Sequence, residues 1–147
     1  MTRNQGVLSY LAVFGIISLC YSGDVLRAEN DIFDRNAVEK AKSIDELLAL
    51  MVPALRKQLP MKVDERTTWV SVTSIGPMLG YVYRIDAPKQ ELLANQVDQQ
   101  IRYSTTHNVC GRKSTKMLLA AGGTLRFYLK DEIGLDVVSF DVKSSSC

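Results

Sequence analysis

Apolar positions along the chain recur with helical spacing in some segments and with strict alternation in others. In the first helical segment, Ser43 and Glu46 have the spacing of a capping box, in which each residue bonds a free amide of the first turn. Pro53 lies inside that segment and predicts a kink or a break, because proline removes a helical hydrogen bond. Helical spacing is found at 43–59, 89–103 and 114–121.

Four other segments are rich in β-branched and aromatic residues and alternate as β-strands do. Gly76-Pro77 separates the first two and a polar turn separates the last two, so each pair predicts a β-hairpin. Helices combined with two hairpins predict an α+β domain with a four-stranded antiparallel sheet packed by helices on one face. The four segments are 67–75, 79–85, 124–130 and 135–142.

The beginning of the chain has the layout of a secretory signal peptide. A polar start with Arg3 precedes an apolar run at 7–20, which is shorter than the roughly 20 residues of a membrane-spanning helix. We expect cleavage after Ala28, with the Ser22-Gly23 neighbourhood as second choice; a buried amino-terminal helix is the alternative. The chain then divides into a signal peptide at 1–28, a tether or start of the first helix at 29–42 and a domain at 43–147.

The cysteines agree with export. Removal of the leader also removes Cys20 and leaves Cys110 and Cys147, and an even number in an oxidising compartment predicts a disulfide. The bridge ties down a terminus that otherwise frays. Lipidation of Cys20 is the one route to a membrane, but Leu19 is larger than the small residue that a lipidation signal has there.

Composition and charge argue against several classes of function. Hydrophobic residues make up 46% and charged residues 23%, which is ordinary for a globular protein, and the net charge of +2 gives no nucleic-acid footprint.

The single histidine, His107, falls in a polar link, and a hydrolase would need it in a cleft against a carboxylate. The acidic pairs Asp64-Glu65 and Asp131-Glu132 are interpreted as solvated turns. We therefore predict no catalytic residue, metal or cofactor.

One strand offers candidates for partner binding. Tyr128 lies out of phase with the apolar positions Leu125 and Phe127, so it faces the other side, beside Arg126 and Lys130. Tyrosine and arginine are enriched in protein interfaces. Arg126, Tyr128 and Lys130 are therefore the candidate partner-binding residues.

Several short motifs occur together in the domain. They are Cys110 after a helix, Lys116-Met117-Leu118-Leu119 followed by Gly122 or Gly123, the strand Thr124-Leu125-Arg126-Phe127-Tyr128 and the terminal Cys147. In these motifs the chain resembles a family of small periplasmic proteins that includes the pilotins of type II secretion systems. The motif Leu59-Pro60-Met61-Lys62-Val63-Asp64, followed by a strand with threonine, is similar to small exported proteins of the same layout.

The resemblance implies a fold and a class of function. Pilotins of that type are lipoproteins that bind a helical carboxy-terminal segment of an outer-membrane secretin and route it to the outer membrane. Leu19 before Cys20 departs from their lipidation signal. We predict a non-enzymatic periplasmic or secreted protein for binding or assembly, with a protein or peptide partner in the cell envelope. The alternative is a soluble secreted effector or inhibitor that binds another protein.

Overall fold

The computed structural model describes residues 41–147 of the chain. The predicted signal peptide and most of the predicted tether lie outside these residues. None of the described helices is long and apolar enough to cross a membrane. In chain order the elements are α1 (Ile44–Arg56), β1 (Met61–Lys62), β2 (Thr67–Ile75), β3 (Met78–Ile85), α2 (Lys89–Ala94), α3 (Val97–Gly111), α4 (Lys113–Ala120), β4 (Thr124–Lys130), β5 (Asp136–Val142) and a 3₁₀-helix (Ser144–Ser146).

Helix α1 begins at a side-chain cap. The Ser43 hydroxyl accepts a hydrogen bond from the Glu46 amide at 3.2 Å, and the Glu46 carboxylate accepts one from the Lys42 amide at 2.8 Å. The first bond satisfies an amide that a helix start leaves free, and the second holds the residue that precedes the cap. The helix continues past Pro53 and ends at Arg56, whose Nε donates to the Val72 carbonyl of β2 at 3.1 Å. The predicted helix is therefore correct in its start and too long at its end.

The sheet has five strands in the order β1-β2-β3-β4-β5, and β3 and β4 pair in parallel. The α+β class, the two hairpins β2–β3 and β4–β5 and the carboxy-terminal disulfide are as predicted. The prediction of a four-stranded, all-antiparallel sheet is wrong. Strand β1 has two residues, which is too short for a period of two to be recognised in the sequence.

The parallel pairing follows from the way the chain connects the two hairpins. Strands β3 and β4 are joined by α2, α3 and α4. A helical crossover of this kind is the usual connection of two parallel strands, because the chain must return to the end at which it started. Each hairpin thus keeps its own antiparallel pairing while the junction between the hairpins is parallel.

The predicted helix at 89–103 consists of two helices. Gln96 has a left-handed backbone with φ of 54°, which ends α2 and allows α3 to begin at Val97. Helix α3 then continues to Gly111 and includes His107 and Cys110. The prediction of a polar link for His107 and Cys110 is therefore wrong. A largely polar helix shows no apolar periodicity from which it could be recognised in the sequence.

An aromatic layer crosses the inner face of four strands. The rings of Trp69 on β2 and Tyr81 on β3 have centroids 5.4 Å apart, those of Tyr81 and Phe127 on β4 are 5.3 Å apart, and those of Phe127 and Phe140 on β5 are 5.4 Å apart. All four side chains are buried. On α3, the guanidinium of Arg102 lies over the Phe140 ring at 5.3 Å. The layer therefore joins the inner faces of the two hairpins.

The carboxy terminus is held by the predicted disulfide. Cys110, in the last turn of α3, is bonded to Cys147, at a sequence separation of 37. The Cys110 side chain also packs against the core. The bridge therefore fixes the end of the chain to the helical layer.

We expect the substitution Cys147→Ser to lower the free energy of unfolding by about 2–4 kcal/mol, because it frees a loop of this size in the unfolded chain. Urea unfolding of the oxidised mature protein measures the change. Reduction of the unsubstituted protein should give the same loss and should leave the variant unaffected. Equal stability of the oxidised protein and the variant would contradict this account of the bridge.

Candidate functional site

The candidate residues lie on the face of the sheet opposite the aromatic layer, called here the open face. Along β4 buried residues alternate with half-buried ones, and Arg126, Tyr128 and Lys130 are half-buried. In the parallel register, Arg126 lies beside Gly80 and Tyr128 beside Val82 of β3. The structure therefore places the three candidates in one row, with Tyr128 at its centre.

Arg126 forms a two-point ion pair across the hairpin. Its Nε and Nη2 donate to the two carboxylate oxygens of Asp141 on β5 at 2.6 and 2.8 Å. The two residues are direct partners in the register of β4 and β5. The hydrogen bond from the guanidinium holds the pKa of Asp141 below its ordinary value. The same bond, with a smaller contribution from Tyr128, raises the pKa of Arg126. Bidentate geometry makes this the most ordered charge pair on the face.

Lys130 is also paired, at the other end of the row. Its Nζ lies 2.7 Å from Oδ1 of Asp136, and this hydrogen bond lowers the pKa of Asp136. The Asp136 side chain is largely exposed, so the pair contributes little to stability. Both cations of the candidate row are thus matched by carboxylates of β5. The row is a tyrosine between two neutralised ion pairs rather than a positively charged patch.

The ring of Tyr128 lies over β3 beside Gly80. A Cβ at Gly80 would be 3.6 Å from Cε2 of Tyr128 and 2.9 Å from the Thr73 hydroxyl oxygen. The contact with Thr73 is the tight one, whereas 3.6 Å is an ordinary van der Waals distance, so a side chain at residue 80 would press first on the Thr73 hydroxyl. Gly80 has no role among the sequence-based predictions; the available signal was an isolated glycine inside a strand, which often marks close approach of another group.

The candidate for chemistry lies elsewhere and lacks a cleft. His107 is exposed on α3 and its ring stacks on Tyr103 at 6.4 Å between centroids. Within residues 41–147, no three histidine, cysteine or acidic side chains come together as metal ligands would. The arrangement that a hydrolase requires, a histidine held in a cleft against a carboxylate, is not found at His107.

The acidic turn residues hold backbone rather than facing water. Asp131 is 2% exposed, and its carboxylate accepts hydrogen bonds from the amides of Lys89, Ile133 and Leu135 at 3.3, 3.1 and 2.8 Å. It therefore joins the β4–β5 turn to the first turn of α2. Half-buried Asp64 accepts from the two amides that follow Glu65, at 2.7 and 2.8 Å. The interpretation of these aspartates as solvated is wrong, because turn aspartates bond nearby amides.

Comparison with known proteins gives neighbours in structure only. No family model and no curated protein sequence matches the chain. The type II secretion system pilotin AspS of Vibrio cholerae is similar with a TM-score of 0.59 and 19% identity, over 75% of this chain and 97% of that one. The pilotin EpsS of Vibrio vulnificus is similar with a TM-score of 0.53 and 16% identity, over 71% of this chain and 91% of that one.

A third structure is a protein of Pseudomonas aeruginosa that is assigned as secreted. Its TM-score is 0.58 at 20% identity, over 73% of this chain and 98% of that one. The three matches show that the described domain has the fold of these proteins. The resemblance to pilotins in the sequence motifs is thus accompanied by likeness of the whole fold.

The Arg126–Asp141 pair makes stability depend on pH. A carboxylate whose pKa is lowered by folding stabilises the protein above about pH 4, and this contribution is lost as the pH falls through the folded pKa. We expect Asp141→Asn to be less stable than the unsubstituted protein at pH 7 and equally stable at the acid end of the titration. Urea unfolding across this range measures the difference, and Glu132→Gln, at an exposed side chain, is the control. A difference that stays constant with pH would contradict the assignment.

Proposed function

We propose that the protein is an exported, non-enzymatic protein of the bacterial cell envelope that binds a protein or peptide partner. The proposal is supported by fold likeness to two pilotins and to a protein assigned as secreted, each over more than 70% of this chain. The signal-peptide layout of residues 1–28 and the disulfide Cys110–Cys147 agree with export.

The observation that carries the proposed site is Tyr128, an amphipathic ring fixed in position on the open face. The ring lies beside Gly80 and Val82, and the Arg126–Asp141 pair borders it. A tyrosine held in place loses little entropy when it binds, and tyrosine is enriched among the residues that contribute most to interfaces. The ion pairs at the two ends form a polar rim that fixes the orientation of a partner.

The partner that we propose is a segment of an outer-membrane secretin. The basis is the pilotin resemblance of the motifs together with the pilotin fold of the domain. Leu19 argues against lipidation of Cys20, so the protein would act on this segment as a soluble periplasmic form. The second candidate is a soluble secreted effector or inhibitor. The likeness to the Pseudomonas protein and the same Leu19 favour it.

The proposed site predicts that Tyr128→Ala weakens partner binding at least about tenfold, as loss of a central interface tyrosine does. The ligand is a synthetic peptide with the carboxy-terminal sequence of the secretin encoded in the same genome. Isothermal titration of the mature protein measures the affinity. Tyr128→Phe, which keeps the ring on Gly80, should bind within a few-fold of the unsubstituted protein.

The matched control is Tyr103→Ala, because Tyr103 is 78% exposed on α3 and belongs to another surface. Its affinity should be unchanged. Equal loss of peptide affinity in the Tyr103 and Tyr128 variants would show that the binding site does not lie on the open face. Absence of binding by the unsubstituted protein would contradict the secretin partner and favour the secreted effector or inhibitor.

A further inference from the structure

Helix α4 presents an outward face that has both apolar and positively charged residues. Thr115, Leu118 and Leu119 are its buried residues. The outward positions are three and four residues apart, so they lie on one side of the helix. Met117 at the centre of this side is 55% exposed. The outward residues, called here the α4 surface, are Lys113, Lys116, Met117 and Ala120.

The α4 surface borders a shallow depression that is largely open to solvent. Together with Gly111 at the end of α3, its four residues line a shallow hollow of about 420 Å³. Because the depression is largely open to solvent, it does not enclose a ligand, and its residues are available for contact with another protein. A Cβ placed at Gly111 would have no atom within 4 Å, so the hollow is open on the α3 side. Methionine adapts its shape to different apolar partners, which suits a contact surface.

The charges of the α4 surface are not balanced within the described domain. Among residues 41–147, neither Lys113 nor Lys116 has an ion-pair or hydrogen-bond partner for its ammonium group. On the open face, by contrast, Arg126 and Lys130 each have a carboxylate within 2.7 Å. Within the described residues, the two lysines beside the exposed methionine therefore have no carboxylates that complement them.

We propose that the α4 surface binds an acidic segment of another protein, with an apolar side chain against Met117 and carboxylates against Lys113 and Lys116. Charge complementarity selects this partner, since opposite charges at an interface fix register and exclude wrong partners. The α4 surface is formed by the helical layer, so the proposal does not rest on the binding role of the open face.

The test uses the mature protein and a synthetic peptide in which leucine and glutamate recur with helical spacing. A second peptide has glutamine in place of every glutamate. Fluorescence anisotropy should show binding of the acidic peptide and at least about tenfold weaker binding of the glutamine peptide. The double variant Lys113→Gln/Lys116→Gln should bind the acidic peptide about tenfold more weakly, and Met117→Ser about fivefold more weakly.

The control for charge is the double variant Lys42→Gln/Lys57→Gln, which removes two exposed lysines at the ends of α1 and should leave the affinity unchanged. Equal weakening by the two double variants would overturn the proposal, since it would show a general effect of net charge. Absence of peptide binding would also overturn it. So would lysine-dependent binding to vesicles of anionic lipid without peptide binding, or dimers that Met117→Ser dissociates.

Discussion

The contact between Tyr81 and Phe127 joins two halves of the molecule that are separated by three helices along the chain. The rings lie nearly parallel, with centroids 5.3 Å apart, where β3 and β4 pair in parallel. Trp69 and Phe140 extend this contact to the outer strands of the two hairpins. Stacked and tilted aromatic pairs stabilise beyond the burial of their area. The register of the whole sheet therefore depends on which residues enter this layer.

The same register determines the composition of the open face. Phe127 faces the core, so its neighbour Tyr128 must face outward, and a shift of one residue would exchange the two. The pairing of Arg126 with Asp141 follows from the same alignment, because the two residues are direct cross-strand partners. The structure thus uses one strand both to close the core and to present a tyrosine between two ion pairs. The α4 surface differs in that its charges have no such partners in the described domain.

The extent to which the sequence predicts this fold depends on how local each interaction is. The hairpin strands and the outward direction of Tyr128 were predictable because alternation is a property of a few adjacent residues. The parallel junction was not, because it depends on contacts across three intervening helices. The left-handed backbone of Gln96 was not predictable from the sequence either, because this conformation is usually found at glycine or asparagine. The role of Gly80 required knowledge of the strand that lies beside it.

The most direct test of the proposed partner is photo-cross-linking in living cells from position 128. A photoreactive phenylalanine analogue in place of Tyr128 keeps an aromatic ring on Gly80. The account predicts a cross-linked product that contains the secretin, formed from position 128 and not from position 103 on α3. A product from position 103 alone, or secretin-free products from position 128, would contradict binding through the open face.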